Sequence, residues 1–426
     1  MRLITSLILI LVVNTSQAQK RDLDFYITKA KAFSPLINQA QNANKIVGLD
    51  MEQIKSILSK PEINVDASVL FAPIISHDNN RNRFEPVSNG ATNYTGYDMA
   101  LTDGGQYLSV VSLKQPLFTG SSFKTYSNKT SIVRQINEHR IALTAHELEQ
   151  VISHQYILCL KAKRSADISL ELLKELEGQL LIMQKLVENG IYKQSDLMLM
   201  QIEYENYKLN YETAQSDFRN NLYDMNLLSG ITDTTTVDLQ EIDFQLKNTN
   251  IVSSKFLSSF YLDSLNINAE RSIGDLKYKP QVNFFANAGL NAVFLPTINR
   301  LGFSTGLTFS WNIFDGQQHK LQKQKSEINL QTLDFEKHNF ISQQEINKNN
   351  LLNQIATLGK RIQLTDNQLN KYDQLLEVYH LQIMQGEISV IDFKNVVKDI
   401  AVKKQDRLML GMEKQALIVS FNYWNY

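Results

Sequence analysis

Phe118, Gly120, Gly190 and Asp196 return as Phe314, Gly316, Gly386 and Asp392, each displaced by 196 positions. No proline lies between the two glycines of either set. At about 1.5 Å per residue, roughly 70 residues of continuous helix make a rod on the order of 105 Å long. Helices of compact domains run to a few turns, so such a rod, present twice, is a spanning device rather than a core element. Duplication at a fixed offset points to a repeated architecture before it points to any chemistry.

The prolines sharpen this reading. They stand at 35, 61, 73, 86, 116, 280 and 296, and proline is expelled from helix interiors because it lacks the N–H and clashes with the preceding turn. Six of the seven cluster around two non-helical islands, 61–118 and 280–314. Both alternate with period two. Val282, Phe284, Ala286, Ala288, Leu290 and Ala292 share one face, and Asn283, Asn287, Gly289 and Asn291 the other. The return run puts Phe303, Leu307, Phe309, Trp311 and Ile313 against Gly302, Ser304, Gly306, Thr308, Ser310 and Asn312. The first island sets Ile63, Val65, Ala67, Val69 and Phe71 against Asn64, Asp66 and Ser68, while Ser109 and Val110 interrupt the pattern of its return strand. Apolar-out, polar-in strands of about 10 residues are the signal of a transmembrane barrel. A half-buried soluble hairpin shows the same alternation. The connecting loops differ, 74–105 being long and polar and the second turn occupying about 293–300.

The rods carry a matched seam. Leu173, Leu176, Leu180, Met183 and Val187 follow a 3-4-3-4 spacing, and Leu369, Tyr372, Leu376, Tyr379 and Ile383 follow it 196 positions later. That is the spacing of helices wound against neighbours. Tyr204, Tyr207, Tyr211, Ala214 and Phe218 continue it on a returning helix. In the stretch 231–250, Val237, Leu239, Ile242 and Phe244 alternate, which reads as a joint with a short strand.

Lipid supplies no hydrogen-bond partners, so a β-structure spans it only with its edges closed. Two hairpins give four strands, whereas the smallest bacterial barrels have eight. The chain is therefore expected to associate around a common axis. A dimer of eight strands would be filled by its own side chains, and a trimer of twelve would leave room for a channel. The strand count requires more than one copy without choosing three.

Met1–Ala18 reads as a secretory signal: Arg2, a short apolar run from Leu3 to Val13, then Ser16 and Ala18 at the cleavage-defining positions. Cys159 alone cannot make an internal disulfide, and its mid-helix place suits a buried structural thiol. A formal net charge of −1 offers no basic field for nucleic acid. No Ser/His/Asp order, P-loop or dinucleotide fingerprint is present, so the expectation is no enzyme and no cofactor.

Taken in order, these features resemble the TolC-type outer-membrane efflux protein family across essentially the whole mature chain. The residues that carry the resemblance are Ala32-Phe33-Ser34-Pro35-Leu36 and the strand starts Lys60-Pro61-Glu62-Ile63-Asn64 and Lys279-Pro280-Gln281-Val282-Asn283. To these are added the corners Gln115-Pro116-Leu117-Phe118-Thr119-Gly120 and Trp311-Asn312-Ile313-Phe314-Asp315-Gly316, and the turns Gly190 to Asp196 and Gly386 to Asp392. The resemblance implies a membrane α+β fold. In it, a homotrimer forms a twelve-stranded outer-membrane β-barrel, four strands per chain, continued by a long α-helical periplasmic barrel, with an internal two-fold structural repeat.

The expected division is a signal peptide at 1–18, a first repeat at 19–240 and a second at 241–426. The first holds a hairpin at about 63–73 and 106–118, a long helix at about 121–189, a tip turn at 190–196 and a return helix at 197–229. The second holds a hairpin at about 281–292 and 301–314, a helix at about 317–385, a tip turn at 386–392 and a return helix at 393–424. The implied function is the exit duct of a tripartite efflux or type I secretion system, a passive conduit gated at its periplasmic tip. The implied partners are a periplasmic adaptor, through it an inner-membrane pump of RND, ABC or MFS type, and outer-membrane lipid. A trimeric envelope-spanning or adhesin-like stalk is the competing reading, but a stalk has no need of alternating hairpins or paired tip turns.

The candidate sites follow. Gly190 and Gly386 suit helix C-caps, since glycine takes the left-handed conformation at little cost; the resemblance adds adaptor docking at the tip, with Asp196 and Asp392. Ser389-Val390-Ile391-Asp392 fits a capping box, and the resemblance makes Asp392 a candidate for an acidic ring narrowing the tunnel. Where relatives carry a basic residue this chain has Ile388, and Asn395 replaces a second acid. A charge lock there is then absent or rebuilt from Tyr379, Tyr192 or Lys193. Phe71, Phe118, Phe294, Trp311 and Phe314 lie near strand ends and are candidates for an aromatic girdle. His139, His146 and His154 share roughly one face of the first rod; two turns apart, about 10 Å, is too far for shared metal ligation, and polar helix surface is the expectation.

Overall fold

The computed structural model describes residues 21–86, 90–97, 105–235, 237–247, 254–292 and 298–426. In chain order the elements are α1 (Leu23–Phe33), α2 (Pro35–Ser59), β1 (Glu62–Phe71), β2 (Ile74–Ser76), β3 (Arg83–Glu85), β4 (Tyr94–Thr95) and β5 (Gly105–Leu117). Then come α3 (Gly120–Glu188), α4 (Gln194–Leu228), α5 (Lys255–Asp275), β6 (Gln281–Ala292), β7 (Leu301–Ser310), α6 (Gln318–Gln385) and α7 (Val390–Trp424). The proline-free stretches are single helices of 69 and 68 residues, and each return helix has 35. The chain is mostly helical with some sheet, the fold type that the sequence pattern implied. Among the described residues no helix is long and apolar enough to cross a membrane.

The described residues fall into two compact units, one within 41–139 and 259–336, the other within 21–40, 140–258 and 337–426. The first unit holds a four-stranded antiparallel sheet in the order β1-β5-β6-β7. β5 is continuous from Gly105 to Leu117, so Ser109 and Val110 do not break it; Val111 pairs with Val65 on one side and Ala288 on the other. The polar stretch after β1 carries its own small sheet, β3-β2-β4. Asp78 pins it by accepting bonds from the Thr92 and Asn93 amides, both at 2.9 Å. β1 and β7 are the edges, and every residue of β1 is exposed. Their apolar side chains stand in the open, Phe303 being 85% exposed. At the lower corner the Thr119 hydroxyl donates to the Leu58 carbonyl at 3.1 Å, tying the start of α3 to the end of α2.

The second unit is helical and has the larger cores. Tyr26, Tyr156, Leu160, Leu222, Met225 and Leu239 are buried together, with Leu408, Met412 and Val419 of α7. The joint after α4 lies on this core: Leu239 is buried, and Val237, Ile242 and Phe244 pack against it. Its strand-like alternation therefore reflects packing rather than a sheet, since among the described residues only an isolated parallel bridge to Arg21 forms there. The Tyr156 hydroxyl donates to the Gln240 carbonyl at 2.6 Å, and Lys163 pairs with Asp238 at 2.5 Å. A second core joins Leu172, Leu176 and Met183 of α3, Leu197, Met200 and Tyr207 of α4, Ile383 of α6, and Phe393 and Val397 of α7. Each such side chain, fully buried, contributes about 1.5–3 kcal/mol.

Candidate functional site

The second core ends at two helical reversals. Gly190 and Gly386 both have φ of +73°. At the first, the Gly190 amide donates to Val187 and the Ile191 amide to Leu186, each at 2.9 Å. At the second, the Gly386 amide donates to Ile383 at 3.3 Å and the Glu387 amide to Gln382 at 2.9 Å. Both are Schellman caps, in which a left-handed residue satisfies the last free carbonyls of the helix. The two differ in surroundings. A Cβ on Gly190 would meet nothing within 4 Å, whereas one on Gly386 would lie 2.9 Å from Ile191 Cγ2.

Asp196 and Asp392 are both engaged as caps of the return helices. The Lys193 amide donates to Asp196 Oδ2 at 3.0 Å. The Ser389 hydroxyl accepts from the Asp392 amide at 3.1 Å and donates to Asp392 Oδ2 at 2.7 Å. Asp392 remains exposed, and so does Asn395. The Ile388 side chain packs on the core, as does that of Tyr379. A contact that the sequence did not reveal joins the reversals: the Tyr192 hydroxyl donates to the Ile388 carbonyl at 2.8 Å. Burial, then the Asp196 carboxylate, pushes the Tyr192 phenol above its usual value, so it stays protonated and a donor. Nearby, the Gln179 side-chain amide donates to His380 Nδ1 at 3.0 Å, and the His380 ring lies 5.4 Å from that of Phe393.

In the sheet unit, the aromatic candidates fall at two ends. Phe71 pairs with Gly105 at one end of the β1–β5 ladder, and Glu62 with Lys114 toward the other. Phe118 follows β5 at that other end, and Trp311 and Phe314 follow β7, whose Ser310 pairs with Gln281. At about 3.3 Å per residue, the ten-residue β1 separates the ends by roughly 30 Å. Phe118 is 88% exposed and held at φ +58°, a left-handed conformation unusual for a bulky side chain. The Trp311 indole donates to the Tyr278 carbonyl at 3.2 Å. Phe294 lies outside the described residues.

The histidines are not the uniform polar surface expected of them. His146 is buried, stacked on Tyr426 with ring centroids 3.8 Å apart, and its Nε2 donates to the Tyr423 carbonyl at 3.0 Å. Its Nδ1 is 3.5 Å from Glu149, which Lys31 also meets at 2.5 Å. His154 is half-buried beside Ser420, and burial lowers its pKa. His139 is half-buried in the other unit. Helical periodicity placed the three on one face but could not say what covers it. Among the described residues no group of His, Cys, Asp or Glu could hold a metal.

No protein-family model matches the chain, and no curated protein matches it in sequence. Solved structures do. The chain is similar to the transmembrane channel protein CusC at a TM-score of 0.69 and 12% identity, over 96% of this chain and 92% of that one. It is similar to the outer membrane protein VceC of Vibrio cholerae at 0.68 and 13%, over 95% of each. For the CmeC outer membrane channel of Campylobacter jejuni the values are 0.66 and 12%, over 95% and 85%. The chain has the fold of these outer-membrane channels along nearly its whole length, the TolC-type fold that the sequence motifs resemble.

Proposed function

We propose that the protein is an outer-membrane channel, the exit duct of a tripartite efflux or type I secretion system. In this reading three copies close a twelve-stranded barrel, and the second unit of each copy contributes to a helical periplasmic tunnel. The observation that carries it is the four-stranded sheet open at β1 and β7 with apolar residues exposed along both. Such edges are stable in lipid only when paired, and pairing β1 of one copy with β7 of the next satisfies both. The exposed Leu321, Ile328 and Phe335, spaced by seven on α6, form a stripe suited to a neighbouring helix. Phe118, Trp311 and Phe314 at one sheet end and Phe71 at the other suit the two membrane interfaces.

The tip turns, with Gly190, Asp196, Gly386 and Asp392, are the docking surface for a periplasmic adaptor that leads to an inner-membrane pump. The two repeats meet near residues 240–241, which makes the tip a pair of like reversals. Asp392, exposed at the start of α7, supplies one carboxylate per copy to an acidic constriction. The Tyr192–Ile388 bond takes the place of a charge lock, holding the two reversals together until docking separates them. The duct is passive and needs no cofactor. Single-channel recording in planar bilayers tests this: the wild type conducts with cation preference, and Asp392→Ala loses both that preference and block by multivalent cations. Silence of the wild type and of tip variants alike overturns the channel. Unchanged selectivity in the alanine variant overturns the acidic constriction alone.

A further inference from the structure

His380 of α6 stands six residues before Gly386, where the second reversal begins. It meets α3, the rod of the other repeat, through both ring nitrogens. Gln179 donates to Nδ1 at 3.0 Å, and Nε2 lies 3.7 Å from Glu175 Oε1. A ring that accepts at Nδ1 carries its one proton on Nε2, so the neutral imidazole points an N–H toward the carboxylate. At 3.7 Å that contact is too long for a hydrogen bond. It gains weight only when the ring is charged, and then it is an ion pair. The side chains of His380 and Glu175 are 29% and 31% exposed, so solvent only partly screens such a pair.

The surrounding groups leave this pair to itself. Among the described residues Glu175 has no other cation within 4.0 Å. One turn back on α3, Glu171 is taken up by Lys404 of α7 at 2.9 Å. Burial, then the Glu203 and Glu175 carboxylates, pushes the Tyr207 phenol of α4 upward, so that neighbour stays uncharged. α7 presents the Phe393 ring, its centroid 5.4 Å from that of His380, with Asp392 and Lys394 beside it in sequence. On α6 itself Glu377 and Asp373, one and two turns back, are exposed.

Histidine is the side chain whose charge ordinarily changes between about pH 5 and 8. We propose that His380 is a pH-sensitive tie between the two repeats, which holds the tip more firmly closed as the medium around it turns acid. When Nδ1 gains a proton, the Gln179 amide turns its oxygen toward it and keeps that bond. Nε2 and Glu175 then become an ion pair across α3 and α6. These helices lead to the two reversals that the Tyr192–Ile388 bond joins, so the added pair resists the same separation. The tie rests on the channel reading, whose gate it regulates.

Single-channel recording tests it, with the bath on the tip side stepped from about pH 8 to about 5.5. The wild type is compared with Tyr192→Phe, whose tip is less restrained. In both, the ratio of open to closed time is expected to fall about threefold or more on acidification. His380→Gln and Glu175→Gln are each expected to abolish the fall, since the first takes up no proton and the second offers it no charge. Asp392→Asn is expected to retain the fall, which separates the tie from the acidic constriction. A flat response in the wild type and Tyr192→Phe overturns the tie and leaves a conducting channel. So does a fall that survives either glutamine substitution or vanishes in Asp392→Asn. Silence of every variant overturns the channel reading and the tie with it.

Discussion

The Tyr192 hydroxyl donates to the Ile388 carbonyl at 2.8 Å, and the two residues are counterparts, 196 positions apart. One repeat thus supplies a side chain and the other its backbone, joining two reversals that share a cap geometry. Tyr192→Phe removes the donor and leaves a half-buried carbonyl seeking water. We expect a loss of about 1 kcal/mol in denaturant unfolding and, in bilayers, a higher open probability than wild type. An unchanged open probability would show that the bond does not restrain the tip.

The two cap glycines are expected to respond unequally. Gly190→Ala costs only the left-handed backbone, about 1–2 kcal/mol. Gly386→Ala adds a methyl 2.9 Å from Ile191 Cγ2 and should cost more. Thermal melts of the two variants check this, and equal losses would mean that Ile191 moves aside freely.

Much of the fold was legible because helix and strand announce themselves by period. Proline punctuation and the 3-4 seam located the rods, and Leu176, Met183 and Ile383 of that seam are buried in one core. Period-two alternation located the hairpins. It also suggested a strand at Leu239, where alternation instead reflects an extended segment lying on a helical core. Patterns along one element do not say what covers it. Hence His146 passed for polar surface although Tyr423 and Tyr426 enclose it. At the tip the Gly and Asp positions stood out, whereas Tyr192 meeting a backbone carbonyl depends on tertiary approach and has no sequence signature.

Cys159 is fully buried, and burial, followed by the Asp224 charge, pushes its thiol up to about 12. The thiolate is the reactive form. Maleimide labelling at pH 8 should therefore be negligible in the native protein and complete in denaturant. Rapid native labelling would show that the core around α1 and α3 opens readily.

Glu149 carries an acid-sensitive contact. Its hydrogen bond with His146, then Lys31, lowers the carboxyl from 4.5 to about 2. The depressed value favours the folded state above pH 4.5, and that contribution fades as pH falls from 4.5 toward 2. The group is 40% exposed, so solvent screens the effect. Glu149→Gln should flatten the stability profile within this window and leave its shape at neutral pH unchanged. A profile as steep as wild type would place the acid sensitivity elsewhere.

The central claim is that one chain supplies four strands of a wall that only further copies can close. Light scattering of the detergent-solubilised protein measures this directly. The account predicts a protein mass of three 48.8 kDa chains, less any cleaved leader, stable on dilution. A detergent-free, water-soluble monomer would contradict it.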